Sequence, residues 1–142
     1  MKLSTRGWYA LRAAIDLTAN GREQPVLRRA LAGRLGISPE YVAQILRVLR
    51  DVGMVKSVRG PGGGYQLSGN LSHITAGDVV RAVEGSSAVV YCANEPIHPP
   101  CPRSGSCAAR GLWIRLSSQI DRCLNEVSLA ELAAEDGKQA LG

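Results

Sequence analysis

Between Val58 and Tyr65 the chain reads Arg-Gly-Pro-Gly-Gly-Gly. Four glycines and a proline in six residues cannot continue a helix or a strand, so this segment must be a turn. The runs on either side, Met54–Val58 and Tyr65–Ser68, have strand composition, which makes residues 54–68 a β-hairpin with a glycine-rich tip. So short a hairpin buries no core of its own and has to lean on helices. A nucleotide-binding loop is the other use of such glycines, but the Lys-Ser/Thr that completes one is missing and no helix opens after it.

The helices precede the hairpin. Leu11, Ala14, Ile15 and Thr18 recur at helical spacing between Thr5 and Asn20, with Gly21 placed to stop the helix. Residues 26–35 predict a second, short helix. After Gly36-Ile37, Ser38 can cap and Pro39 can open a third, whose apolar face is Val42, Ile45, Leu46, Leu49 and Val52 until Gly53 ends it. Two helices joined by a tight turn and followed by a hairpin is the order of a winged helix-turn-helix, whose second helix enters a DNA major groove. The expected fold is mainly α with a small β-hairpin wing: a winged helix-turn-helix plus a long C-terminal dimerisation helix.

The charge distribution agrees. Residues 1–70 hold 11 basic and 4 acidic side chains, residues 71–142 hold 6 and 8, so the net charge of +5 hides a strongly basic half and a mildly acidic one. A polyanion responds to local charge, which assigns DNA to the first half. On the third helix Gln44 suits a base edge, Arg47 and Arg50 suit guanine or phosphate, and Ser38, Glu40 and Tyr41 stand where the helix meets the duplex. Arg59 is placed to enter a minor groove, with Gly60 permitting close approach.

The organisation beyond the wing follows from periodicity. Residues 1–70 form the DNA-binding region and 71–84 a linking helix, with Val79, Val80 and Val83 as its apolar set. Residues 85–108 lose all periodicity and hold four prolines and three of the four cysteines, which predicts an irregular loop. Residues 106–134 carry a long helix and a short last one, and 135–142 read as a flexible tail. Along the long helix Ala109, Trp113, Leu116, Ile120, Cys123 and Val127 alternate steps of four and three, a coiled-coil seam. That seam implies a homodimer, because a two-fold axis presents two recognition helices to two half-sites of a double-stranded operator.

Cys92, Cys101 and Cys107 are separated by 8 and 5 residues. Three thiols on a loop without regular structure point to a metal site, and thiolates select zinc, copper(I) or iron–sulfur clusters. Paired C-x-x-C knuckles are missing, which favours a cluster over zinc. His98, inside the loop, is the candidate fourth ligand; Cys123, in the seam, reads as a small core residue. No run of about 18 apolar residues and no cleavable leader is visible, so neither a membrane span nor secretion is expected, and the cytoplasm is.

Met1-Lys2-Leu3-Ser4-Thr5-Arg6-Gly7 with Tyr9-Ala10, Ile37-Ser38-Pro39-Glu40-Tyr41, the run Val58–Tyr65, and the cysteine triplet leading to Leu112-Trp113 resemble the IscR and NsrR family of iron–sulfur transcription regulators. The resemblance covers nearly the whole chain. It implies a homodimeric bacterial regulator, a repressor among its expected roles, whose DNA binding depends on an iron–sulfur cluster held by Cys92, Cys101 and Cys107 and senses cluster status, redox state or nitric oxide. It places Ser38, Tyr41, Gln44 and Arg59 on DNA. IscR-type members typically carry a histidine three residues after the third cysteine, where this chain has Arg110; NsrR-type members can use an acidic residue near the N-terminus, where this chain has Trp8. His98 or an exogenous ligand is left to complete the site, with [2Fe-2S] and [4Fe-4S] both open. The alternatives are a zinc-bound or thiol-redox regulator of the same fold and, less favoured because no acid/base set appears, a small iron–sulfur oxidoreductase.

Overall fold

A computed structural model describes residues 3–70, 73–94 and 100–140, the last three by their backbone alone. The described elements run in the order α1 (Thr5–Asn20), α2 (Arg28–Leu35), α3 (Pro39–Asp51), β1 (Val55–Val58), β2 (Gly64–Leu67), α4 (Ala76–Glu84), α5 (Ala108–Asn125) and α6 (Leu129–Ala140), with a single 3₁₀ turn at Tyr91–Ala93. Six helices and one antiparallel hairpin make a winged-helix fold.

α1 is the axis of the molecule. Its inward face is built of Ala10, Ala13, Ala14, Leu17 and Thr18, all buried, while Leu11 and Ile15 of the expected face lie half-buried beside it. Three alanines on one face let neighbouring backbones approach closely, and both α4 and α6 pack along this helix. Ser4 caps α1 by accepting a hydrogen bond from the Gly7 N–H at 3.0 Å. The helix-turn-helix closes over α1 with Leu31, Leu35, Val42, Ile45, Leu46 and Leu49 in one continuous core. The turn depends on Gly36, whose left-handed φ of 70° ends α2 one residue before the chain re-enters at Ile37.

Three boundaries differ from the sequence reading, each for a local reason. α2 begins at Arg28 because Val26 instead pairs with Tyr65 in a bridge, Val26 N–H donating to the Tyr65 carbonyl at 2.9 Å and Tyr65 N–H returning the bond at 2.8 Å. Val52, expected on the buried face of α3, is 52% exposed because the helix ends one residue earlier. The expected flexible tail is instead helical to Ala140, where the Ala- and Glu-rich sequence of α6 favours helix and Ser128 and Glu131 form a reciprocal cap at its start.

The wing pairs Val55 with Leu67 and Ser57 with Tyr65 on the face turned to the core, and Lys56 with Gln66 on the other. Gly60, Gly62 and Gly64 all have positive φ, and a Cβ at Gly64 would meet the Val26 carbonyl at 2.3 Å, so the bridge needs glycine there. After the wing, α4 is capped by a full box between Thr75 and Asp78. α5 returns antiparallel to α4, tied at its foot by the Ala76 N–H to the Val127 carbonyl at 2.9 Å. Gly77 admits this approach: a Cβ would lie 2.2 Å from Asn125 Oδ1.

Candidate DNA interface and cysteine loop

The recognition-helix reading concerns α3. Ser38 caps it, its hydroxyl accepting the Tyr41 N–H at 3.1 Å, and Pro39 fills the first turn. Val42, Ile45, Leu46 and Leu49 are at most 1% exposed. Burial of that face leaves Glu40, Gln44 and Arg47 exposed on the opposite one, as their spacing requires. Tyr41 is half-buried, its ring edge-on to Tyr9 at 6.0 Å. Arg50 is exposed too, and its Nη1 donates to Ser57 Oγ at 3.3 Å, bracing α3 against β1. Arg59 and Gly60 stand exposed at the wing tip.

Sequence reasoning missed Arg28 and Arg29. Because α2 starts at Arg28 rather than Val26, Arg28 lines a groove of about 310 Å³ together with Leu27, Ser57, Gly60 and Gly63, beside the wing tip. Among the described residues no side chain caps the α2 N-terminus, whose positive end therefore stands uncompensated beside Arg28. The sequence signal is the adjacent Arg28-Arg29 pair, which a helix beginning at Val26 conceals.

The cysteine loop is assembled by polar contacts. Its ascending limb, residues 86–94, is closed on itself by Ser86 Oγ donating to Asn94 Oδ1 at 2.5 Å. Three further bonds fasten that limb to α5: Ser87 Oγ donates to Asp121 Oδ1 at 2.9 Å, the Val89 N–H to Ser117 Oγ at 3.0 Å, and Arg110 Nε to the Cys92 carbonyl at 3.1 Å. Tyr91 links the two limbs. Its hydrogen bond to Cys101, and then the charge that Cys101 would carry, with smaller contributions from burial and Cys92, push its hydroxyl above the usual tyrosine range. Cys107 is the residue on which α5 starts, exposed, with its side chain unused as a cap.

Cys92 and Cys101 are half-buried, Cys107 and Cys123 exposed, and all four are free thiols. The donor chemistry fits an iron–sulfur cluster: three soft ligands on one loop, with Cys107 at a helix N-terminus that favours an anionic group. Among the described residues, however, no three His, Cys, Asp or Glu side chains are gathered at metal-binding distance. Arg110 supplies no ligand atom, since a guanidinium stays protonated; it tethers Cys92 instead. Trp8 is 47% exposed with the Arg12 guanidinium 5.0 Å over its ring, and an indole N–H only donates. His98 lies outside the described residues.

Of the expected seam, Ala109, Leu116 and Cys123 are exposed and Trp113 and Ile120 half-buried on α5. Val127 is off the helix, which ends at Asn125; its carbonyl serves the α4 junction. Leu112 is 54% exposed and Leu116 37%, so α5 carries an apolar face that none of the described residues covers. Among the described residues no helix is long and apolar enough to cross a membrane.

Known proteins resemble the chain along its length. The profile of the Rrf2 family, described as "Iron-dependent Transcriptional regulator", matches residues 3–135. Protein rrf2 of Nitratidesulfovibrio vulgaris is 42% identical over 132 residues, 93% of this chain and 87% of that protein. Among solved structures, CymR, the global cysteine regulator of B. subtilis, superposes with a TM-score of 0.77 at 35% identity, covering 95% of this chain and 98% of that one. T. potens IscR superposes at 0.76 and 30% identity, covering 99% and 90%.

Proposed function

The chain belongs to the Rrf2 family of winged-helix transcriptional regulators, not enzymes, and from that premise we propose that it is a sequence-specific bacterial regulator, acting in the cytoplasm as a homodimer, whose operator binding is set by an iron–sulfur cluster on Cys92, Cys101 and Cys107. Gln44 and Arg47 read base edges in a major groove; Ser38, Glu40, Tyr41 and Arg50 orient α3; Arg59 and Gly60 approach the minor groove; and Arg28 adds a phosphate contact. The unpartnered apolar face of α5, with Trp113, Leu116, Ile120 and Cys123, is covered by the same face of a second copy.

The observation that carries the sensing half is the bond from Arg110 to Cys92. It brings one limb of a three-thiol loop to the helix turn that begins at Cys107, so chemistry at the thiols acts on α5 directly. A bound cluster supplies redox and nitric oxide reactivity at these sulfurs. With Arg110 and Trp8 unable to ligate, the fourth position falls to His98 or an exogenous ligand. Anaerobically purified protein is expected to be brown, to give a Mössbauer spectrum that separates [2Fe-2S] from [4Fe-4S], and to lose its colour in Cys92→Ala. A colourless, zinc-loaded protein overturns the cluster.

A second reading, a thiol-redox regulator of the same fold, is favoured by the half-buried free thiols Cys92 and Cys101 on the strapped loop and by the likeness to CymR, the global cysteine regulator of B. subtilis. Metal analysis separates the two. Iron and sulfide in stoichiometric amounts support the cluster; metal-free protein whose operator affinity follows oxidant supports the thiol.

A further inference from the structure

The three residues of α5 that hold the ascending limb are Arg110, Ser117 and Asp121, spaced by seven and four. At 3.6 residues per turn they form one stripe along the helix. The limb offers its partners in the reverse order, Cys92, Val89 and Ser87, so it lies antiparallel along that stripe, as a strap buttoned at three points. Ser117 is the one buried residue recorded on the 18-residue α5, and it is a hydroxyl used for this bond. Beside the strap lies an open cleft of about 170 Å³ whose lining includes Ser86, Ser87, Asn94, Ile114, Ser117 and Asp121.

The lowest button continues into the head. Asp121 Oδ1 also receives Arg81 Nη1 at 2.7 Å, and Arg81 Nη2 reaches Asp78 Oδ1 at 3.0 Å. One turn along α4, Glu84 accepts the Ser4 N–H at 3.1 Å and the Ser4 hydroxyl, at the start of α1. The groups form an unbroken chain of contacts: Cys92, strap, Asp121, Arg81, α4, Glu84, α1.

We propose that this polar stripe is a positioning device: Ser117 and Asp121 set the register and accessibility of Cys92, and Arg81 passes a change in that register to the DNA-binding head. The first half stands on the hydrogen bonds alone; the second rests on the regulatory reading above. Opening these bonds would release the strap locally, and on this proposal a chemical change at Cys92 shifts the balance between the held and released arrangements.

The test of the first half uses full-length, cluster-free protein, so that it does not depend on the cofactor. The rate of iodoacetamide alkylation at Cys92 is measured by peptide mass spectrometry, with an added cysteine-containing peptide as internal reference, together with hydrogen exchange at Val89. Ser117→Ala removes one button and is expected to raise both by about fivefold, the population change that follows from losing one hydrogen bond. Ser117→Thr keeps the hydroxyl and is expected to restore wild-type values, which a merely structural loss of packing would not do. Ser87→Ala tests the neighbouring button and is expected to act in the same direction. Wild-type rates at Cys92 and Val89 in both alanine variants overturn the device, as does a Ser117→Thr variant as reactive as Ser117→Ala. For the relay, Asp121→Asn is expected to shrink the difference in operator affinity between cluster-loaded and cluster-free protein; an undiminished difference removes Arg81 from the path. Absence of any cluster in the wild type would sink the regulatory reading and leave the alkylation result standing.

Discussion

α3 and α5 have similar composition and opposite fates. α3, 13 residues long, puts Val42, Ile45, Leu46 and Leu49 into the core; α5, 18 residues long, buries Ser117 alone. The first is fixed by apolar area removed from water, which does not respond to redox chemistry or small ligands. The second is held by a handful of hydrogen bonds, each worth about 1 kcal/mol net, and by an apolar face waiting for cover. A sensor needs both kinds of element. The reader must keep its shape while it is moved, and the sensor must be close enough to balance that a modest chemical change tips it.

The largest way to break this contrast is within the head. Leu46→Ala deletes a fully buried side chain and is expected to cost about 2–5 kcal/mol in a urea unfolding titration, with DNA binding failing as the head unfolds. Leu116→Glu should do the opposite. It places a charge on the open face of α5, so the head is expected to melt within a few degrees of wild type, while sedimentation shows a monomer and affinity for a two-half-site operator falls by about a hundredfold through lost avidity. A Leu116→Glu protein that stays dimeric would move the interface off this face.

The same contrast explains what could be read from the sequence. The head was legible because each of its features is local: Ser38-Pro39 opens a helix, a 3.6-residue apolar stripe names its buried face, and glycines at 60, 62 and 64 mark a turn. Its errors fell where a distant partner decides. Val26 has helix-compatible neighbours, yet it is claimed by Tyr65, 39 positions on, and that shift leaves Arg28 at the wing groove. In the cysteine loop the residue types were legible but their arrangement was not, because Ser87, Ser117, Asp121 and Arg110 are ordinary surface residues in sequence. Only the register of strap against helix turns them into a stripe. Arg110 shows the difference most sharply: at a position where a ligand was sought, the structure places a tether.

Smaller effects sharpen the DNA side. Arg59→Ala and Arg28→Ala are each expected to lower the slope of log affinity against log salt by about 0.9, the share of one neutralised phosphate. A fluorescence-anisotropy titration over several salt concentrations measures it. An unchanged slope for Arg28→Ala would confine the interface to α3 and the wing tip and return Arg28 to the solvated surface.

The smallest expected effect lies at the junction of the two regions. Partial burial acts to raise the pKa of Asp78, but the Thr75 hydrogen bonds and Arg81 outweigh it and hold the carboxyl below its ordinary value. A carboxylate with a lowered folded pKa contributes stability that is fully present above its unfolded value, about 3.9, and is lost as pH falls through the lower folded one. The side chain is 38% exposed, so solvent screens the interaction. Asp78→Asn is therefore expected to destabilise by only about 0.5–1 kcal/mol near neutral pH, the range for one helix cap. The gap between variant and wild type should narrow as the pH drops below about 4 and close as it passes through the lowered folded value, where wild type loses the same charge. Thermal melts from pH 7 to pH 2.5 check it. A gap that persists at pH 2.5 would mean that Asp78 acts by shape and not by charge, and would leave Arg81 held at this junction by Asp121 alone.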